Sequence, residues 1–205
     1  FQRGAHDYLM KPILLEEVHG KIRRLLEYRD LFRENQWLRR ELHRIQDADQ
    51  VIGKGPAIRA VFDVVRKVAP TRSLVLLVGE SGTGKELIAR EIHRQSGAGD
   101  GRFLAVNCAA IPTDLLENQL FGHRKGAFTG ADRDQAGVFV HAGAGTVFLD
   151  EIAELPAATQ AKLLRAIEQK EVLPVGANEP VHVAARVLAA TNKLLQREVE
   201  QGRFR

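Results

Sequence analysis

Apolar positions fall into two regimes along the chain. After Lys11-Pro12, Leu15, Val18, Ile22 and Leu25 recur at helical spacing on one face. A proline near a helix start is tolerated, because its missing N–H would be unpaired there anyway. The spacing continues through Tyr28, Leu31, Asn35, Leu38, Leu42 and Ile45, alternating three and four apart. That is a heptad pattern with Asn35 at one core position, a residue type that fixes register in parallel helix pairs. It predicts a long helix that either packs on its own domain or pairs with a second copy. After Asp47-Ala48-Asp49-Gln50 the pattern changes. An amphipathic helix is predicted over 56–69, then a continuously apolar strand over 74–78 and a helix over 85–95. A strand over 103–106 and a helix over 115–121 follow. The remainder reads as a strand over 147–149, a helix over 157–169 and a strand over 187–190. Continuously apolar strands separated by helices predict a parallel sheet covered on both faces.

Composition sharpens the division. Gly4 and Gly20 are the only glycines before residue 51, and the rest of the 18 fall after it. Apolar residues at 44% and charged residues at 27% exclude global disorder. The net charge of +4 is spread with alternating sign and forms no long basic block, so it does not by itself point to nucleic acid. A single cysteine, Cys108, excludes an intrachain disulfide and fits a reducing, cytoplasmic setting. The longest apolar run, 74–78, is far too short for a bilayer, so no membrane partner is expected. With Phe1 at one end and Arg205 at the other, the chain reads as a fragment of a longer protein.

The strand over 74–78 runs into Gly79-Glu80-Ser81-Gly82-Thr83-Gly84-Lys85-Glu86. Glycines here allow a tight path that turns successive N–H groups toward phosphate oxygens. Lys85 adds a charge for the terminal phosphates, and the following helix offers its positive end. Glu86 stands where Ser or Thr usually reaches Mg²⁺, so the metal needs another acid. The strand over 147–149 supplies one, running into Asp150-Glu151. In a parallel sheet both motifs lie beyond the C-terminal strand ends. There Asp150 can hold Mg²⁺, and Glu151 can orient or deprotonate an attacking water. Thr191 and Asn192 follow the last strand, either near the terminal phosphate or capping the next helix.

Gly126-Ala127-Phe128-Thr129-Gly130-Ala131 is the GAFTGA loop that marks one family. Supporting runs are Asn107-Cys108-Ala109-Ala110, Leu120-Phe121-Gly122-His123 and Ala189-Ala190-Thr191-Asn192. Over 51–205 the chain resembles the sigma-54-dependent transcriptional activators of the NtrC type, in which Glu86 is normal. The resemblance implies an AAA+ P-loop three-layer sandwich that binds ATP and Mg²⁺, hydrolyses ATP between subunits of a ring, and remodels sigma-54 RNA polymerase holoenzyme. It implies ATP binding by Lys85 and its loop, with Mg²⁺ and water activation at Asp150 and Glu151. Asn107 would hold Glu151, and Thr191 with Asn192 would sense the γ-phosphate. The Phe128-Thr129 tip would touch sigma-54, and Arg205 falls where the family has an arginine finger. The alternatives are an AAA+ remodeller with another client and a nucleotide-binding scaffold without turnover.

A second resemblance covers 1–29. Tyr8-Leu9-Met10-Lys11-Pro12 is similar to the last strand and helix of a response-regulator receiver domain, with Lys11 at the phosphoryl group and Tyr8 as the aromatic switch. It implies a sensor kinase as partner; the heptad pattern makes 30–50 a helical linker, dimerising in one of its two readings, and the first resemblance makes 51–205 an ATPase domain that stops before its lid and before a DNA-binding helix-turn-helix. Two positions depart from the family: Ala144 replaces a glycine and Val140 an acid. Phe121 and Cys108 read as core residues and Phe128 as exposed. His123, Arg124 and Lys125 read as a solvated approach to the loop.

Overall fold

The computed structural model describes residues 55–98 and 101–205, within a compact unit spanning Val51–Arg205. The heptad helix, Tyr8 and Lys11 lie outside the described residues. Helix α1 (Pro56–Val68) begins on Pro56 and ends with Arg66 and Lys67 in its last turn, as the helix dipole favours. Strand β1 (Val75–Val78) leads through the glycine loop into α2 (Lys85–Arg94). Strand β2 (Phe103–Asn107) is followed by α3 (Thr113–Phe121). Two short strands, β3 (Gly122–His123) and β4 (Gln135–Ala136), then pair antiparallel, and α4 (Val138–Ala142) follows. Strand β5 (Thr146–Asp150) enters a 3-10 turn, Ile152–Glu154, and then α5 (Ala157–Glu168). Strands β6 (Glu171–Val172) and β7 (Val181–His182) form a hairpin, β8 (Arg186–Thr191) completes the sheet, and α6 (Leu195–Glu200) follows.

The main sheet is parallel, in the order β1-β8-β5-β2. Its central strands show why a run of apolar residues was needed. Val147, Leu149, Val187 and Ala189 face one core with Leu116, Leu120, Phe121 and Leu163 of the helices. Phe148, Leu188 and Ala190, the intervening positions, face a second core with Val65, Ile88, Ala89 and Ile92. Both faces are therefore covered, which makes three layers. Strand β1 departs from the expectation of full burial. It is the edge of the described sheet, and Leu76 and Val78 are exposed. A continuous apolar run reads the same whether the strand is central or at the edge.

One buried charge ties the layers together. Arg186 of β8 is almost fully buried. It donates from Nη1 to Ala69 O at 2.7 Å, from Nη2 to Val68 O at 2.9 Å and from Nε to Ser73 O at 3.3 Å. These carbonyls lie at and just beyond the end of α1, so the guanidinium both satisfies open acceptors and faces the negative pole of the helix. Behind it, His93 Nδ1 meets Thr146 Oγ1 at 2.8 Å, and burial holds the imidazole pKa below its ordinary value.

Candidate functional site

Strand register brings the sequence motifs to one edge. Val78 pairs with Thr191 and Asn107 with Asp150, so all four strands of the main sheet end together. Gly79 N–H donates to Thr191 O at 3.2 Å, extending the β1–β8 pairing into the loop. The loop then turns through Gly82 at φ +77° and Gly84 at φ +83°. Those values are open to glycine and strained for other residues, and they let the chain enter α2 with its first N–H groups free. Thr83 Oγ1 donates to Glu80 O at 2.8 Å and closes the turn.

Lys85 and Glu151 meet over this edge. Lys85 Nζ donates to Gly79 O and Glu80 O, each at 3.0 Å, and lies 3.8 Å from Glu151 Oε1. The second carboxylate oxygen, Oε2, accepts the Asn192 N–H at 3.2 Å. Asp150 Oδ1 accepts the Glu151 N–H at 3.0 Å. Glu151 itself has φ 51° and ψ 51°, the left-handed region, which for a residue with a side chain costs about 1–2 kcal/mol. Backbone strain of this kind gathers at functional sites, where it aims a side chain that relaxed geometry would misdirect. Cys108 lies beneath the acids. Its N–H donates to Asp150 O at 2.9 Å, and burial, with the charges of Asp150 and Glu151, pushes its thiol pKa up to about 12.

Other expected site residues take different partners. Asn107 reaches the same edge, but its Oδ1 accepts the N–H groups of Ala109 and Ala110 at 3.0 and 3.2 Å. It makes no hydrogen bond to Glu151, which Lys85 and Asn192 hold instead. Glu86 is turned onto Arg90, whose Nη2 donates to it at 2.6 Å. Thr191 is fully buried, and its Oγ1 accepts the Lys193 N–H at 3.0 Å; neither it nor Asn192 caps α6, which starts after Leu194. The Arg205 N–H donates to Gln160 Oε1 at 3.0 Å, and its side chain is exposed.

The 126–131 loop stands on a neck of its own. At Gly122 a Cβ would lie 2.3 Å from Gln135 O, and at Gly137 one would lie 2.4 Å from Leu120 O, so the two backbones touch only because both are glycine. Above the neck, Gly126 N–H donates to Ala131 O at 2.8 Å and Ala131 N–H to Phe128 O at 3.0 Å. Phe128 and Thr129 are exposed, and Ala131 is buried. The approach to the loop is solvated at Arg124 and Lys125, as the sequence suggested, but not at His123. Arg124 Nη1 meets Asp134 Oδ2 at 2.6 Å, and Lys125 N–H donates to Asp134 Oδ1 at 2.8 Å. Those two bonds hold the Asp134 carboxyl below its usual pKa, the Lys125 N–H contributing most. The Arg124 N–H donates to Val175 O at 2.9 Å, and His123 is buried. The hairpin carrying Val175 had no signal in the hydrophobic pattern, because its strands are two residues long.

With this geometry in place, comparison identifies the unit. The family model described as the sigma-54 interaction domain matches residues 51–205. The regulatory protein AtoC of Escherichia coli (strain K12) is 43% identical over 202 residues, 98% of this chain and 44% of that protein. The DNA-binding transcriptional regulator NtrC of Salmonella typhimurium is 42% identical over 205 residues, 100% of this chain and 43% of that protein. The crystal structure of NtrX from Brucella abortus aligns with a TM-score of 0.75 at 32% identity, covering 100% of this chain and 44% of that one. The chain thus spans less than half the length of these relatives. Sheet, glycine loop and match together make the fold an AAA+ P-loop α/β sandwich. The chain belongs to the sigma-54 interaction domain family.

Proposed function

We propose that the chain is the ATP-hydrolysing part of a bacterial two-component transcription activator that acts on sigma-54 RNA polymerase. The observation that carries this reading is the Glu151 carboxylate, strained in its backbone and held between Lys85 Nζ and the Asn192 N–H at the edge where the glycine loop opens. A relative of similar fold, NtrX from Brucella abortus, has a solved structure in complex with ATP, which aligns at a TM-score of 0.70 and 33% identity, covering 100% of this chain and 45% of that one.

In this reading Lys85 leaves Gly79 O and Glu80 O for the terminal phosphates, and the N–H groups of residues 82–86 line the phosphate chain. Glu151 accepts a proton from water as the water oxygen bonds to the γ-phosphorus. The bond to the β–γ bridging oxygen breaks, and ADP leaves with that electron pair. Asn192, already bonded to Glu151, reports whether a γ-phosphate is present, with Thr191 fixing its backbone. Asp150 is a hard oxygen donor with one carboxylate oxygen not used by Glu151 N–H, which suits Mg²⁺ alongside phosphate oxygens. When bound, Mg²⁺ neutralises charge on the phosphates. Asn107 would exchange its own turn for Glu151 in another nucleotide state, and Arg205 would reach the site of a neighbouring subunit in a ring.

The 126–131 loop, remote in sequence from the phosphates, is the contact to sigma-54. Residues 1–29 are the end of a receiver domain answering a sensor kinase, and 30–50 a dimerising linker. The whole protein is read as a cytoplasmic regulator that binds DNA, in keeping with the Salmonella relative, a DNA-binding transcriptional regulator. In the full-length protein, Glu151→Gln is expected to bind ATP and hydrolyse it at least ~100-fold more slowly. Thr129→Ala is expected to keep hydrolysis and abolish open-complex formation at a sigma-54 promoter. Near-normal turnover in the first, or normal activation in the second, would remove the assigned role.

A further inference from the structure

We propose that His123 is the positioning residue that seats Phe128 at the tip of the 126–131 loop, with Asn118 of α3 fixing the imidazole. The role rests on the proposed function only for what the loop contacts; the seating itself stands on geometry.

Phe128 is 43% exposed, yet its ring centroid lies 4.9 Å from that of His123, at an interplanar angle of 58°. That is the tilted arrangement in which aromatic rings attract one another. His123 is 6% exposed, unusual burial for a polar residue beside an exposed loop. Its Nδ1 lies 2.5 Å from Asn118 Oδ1. With a carbonyl oxygen there, Nδ1–H donates, and the ring plane is set by α3. The His123 backbone is fixed from two sides, by Gln135 across the neck and by a bridge to Val175. The ring therefore has little freedom to turn.

Nothing else in the loop does this work for Phe128. The bonds from Gly126 to Ala131 and from Ala131 to Phe128 shape the backbone, and the Asp134 contacts clasp the base. None of them selects a side-chain rotamer at Phe128. The His123 ring does, by occupying one side of the phenyl ring. An exposed apolar side chain that must enter a partner gains from being held, because the entropy of ordering it is then not charged to binding.

The test uses the one tryptophan, Trp37, as a position to empty. In a Trp37→Phe, Phe128→Trp background the new indole reports the seat by acrylamide quenching. Adding His123→Ala is expected to raise the quenching constant about two-fold, the ratio of full exposure to the 43% that Phe128 shows. The double change His123→Phe, Asn118→Leu keeps an aromatic ring without a stranded amide and is expected to restore the low value. Should His123→Ala fail to fold, Asn118→Ala replaces it, with a smaller rise in the same direction. Equal quenching with and without the imidazole overturns the proposal. In the full-length protein with native Phe128, His123→Ala is expected to keep ATP hydrolysis and to lose affinity for purified sigma-54, and His123→Phe with Asn118→Leu to regain it. Raised quenching with unchanged sigma-54 affinity overturns the positioning role. A wild-type protein that does not bind sigma-54 overturns the assigned partner and leaves the quenching result to decide the seat.

Discussion

The backbone of Glu151 allows strain to be separated from chemistry. Its φ of 51° lies where a Cβ collides with the following carbonyl, a penalty of about 1–2 kcal/mol that any residue but glycine pays. Glu151→Ala and Glu151→Gly both delete the carboxylate, its Lys85 contact and its bond to the Asn192 N–H. The difference between the two variants thus isolates the backbone. Glycine escapes the collision but loses more freedom on folding, which offsets about 0.5–1 kcal/mol. The glycine variant is therefore expected to be the more stable by about 0.5–1 kcal/mol, or roughly 1–4 °C in Tm for a domain of this size. Paired urea and thermal denaturation by circular dichroism measure it, and both variants are expected to lose at least ~100-fold in ATP hydrolysis. Lys170, the other non-glycine residue at positive φ among the described residues, at 58°, is the control. Its Gly and Ala variants should show the same stability gap with hydrolysis unchanged. An alanine variant of Glu151 at least as stable as the glycine variant would refute a left-handed Glu151 and the idea that the fold stores strain there.

Two further predictions concern the core. Arg186→Met is expected to destabilise the unit by about 2–4 kcal/mol, because Ala69 O loses its hydrogen bond in a buried setting and the end of α1 loses a cation; Arg186→Lys should recover about half, lacking the fork. A methionine variant within about 0.5 kcal/mol of wild type in urea denaturation would discard this account. Cys108, with its thiol pKa pushed up to about 12, is expected to resist Ellman's reagent at pH 8 until the fold opens. The linkage has a definite sign: the folded thiol keeps its proton at pH values where the unfolded one has lost it. Its contribution is complete below about pH 9 and declines as pH rises toward 12, on the order of 1.4 kcal/mol per unit at most. Cys108→Ala should flatten that alkaline decline, and a decline equally steep in both proteins would contradict it.

What was legible in the sequence follows the length of each signal. Every helix and strand of the sheet long enough to show a period was readable, from 56–69 to 187–190, and α5 closes within a residue of its expected end. The glycine loop and the Asp150-Glu151 pair were readable because their chemistry demands residue types at fixed places. The neck strands β3 and β4, the hairpin β6–β7 and α4 were not, since two to five residues carry no period. Side-chain direction was also hidden. Nothing in the sequence says that Asn107 bonds to its own turn or that Asp134 closes the loop from across the neck, whereas Glu86 and Arg90, four apart on one helix, are spaced to pair. His123 looked solvated because its neighbours Arg124 and Lys125 are charged. Its burial is set by Asn118 and Phe128, contacts made by the fold rather than by adjacency.

Those contacts bear on how two separated sites could act together. The nucleotide edge and the 126–131 loop lie on different elements, and β2 meets α3 through the turn that Asn107 caps. From that turn, α3 runs directly to Gly122 and His123, and Asn118 near its end holds the imidazole against which Phe128 rests. A helix transmits displacement along its axis better than a loop does, because its own hydrogen bonds resist bending. A second path leaves the same edge through β8, whose chain begins just after the hairpin that bonds Arg124 and Gly122 through Val175. Both paths reach the loop on the same side of its neck, at β3 and at Arg124 just after it. Packed elements switch between discrete arrangements more readily than they deform, so two attachments favour a loop with a few defined positions. Cutting one attachment while keeping the other, as Asn118→Ala does, is then expected to leave hydrolysis intact and to spread the loop over more positions.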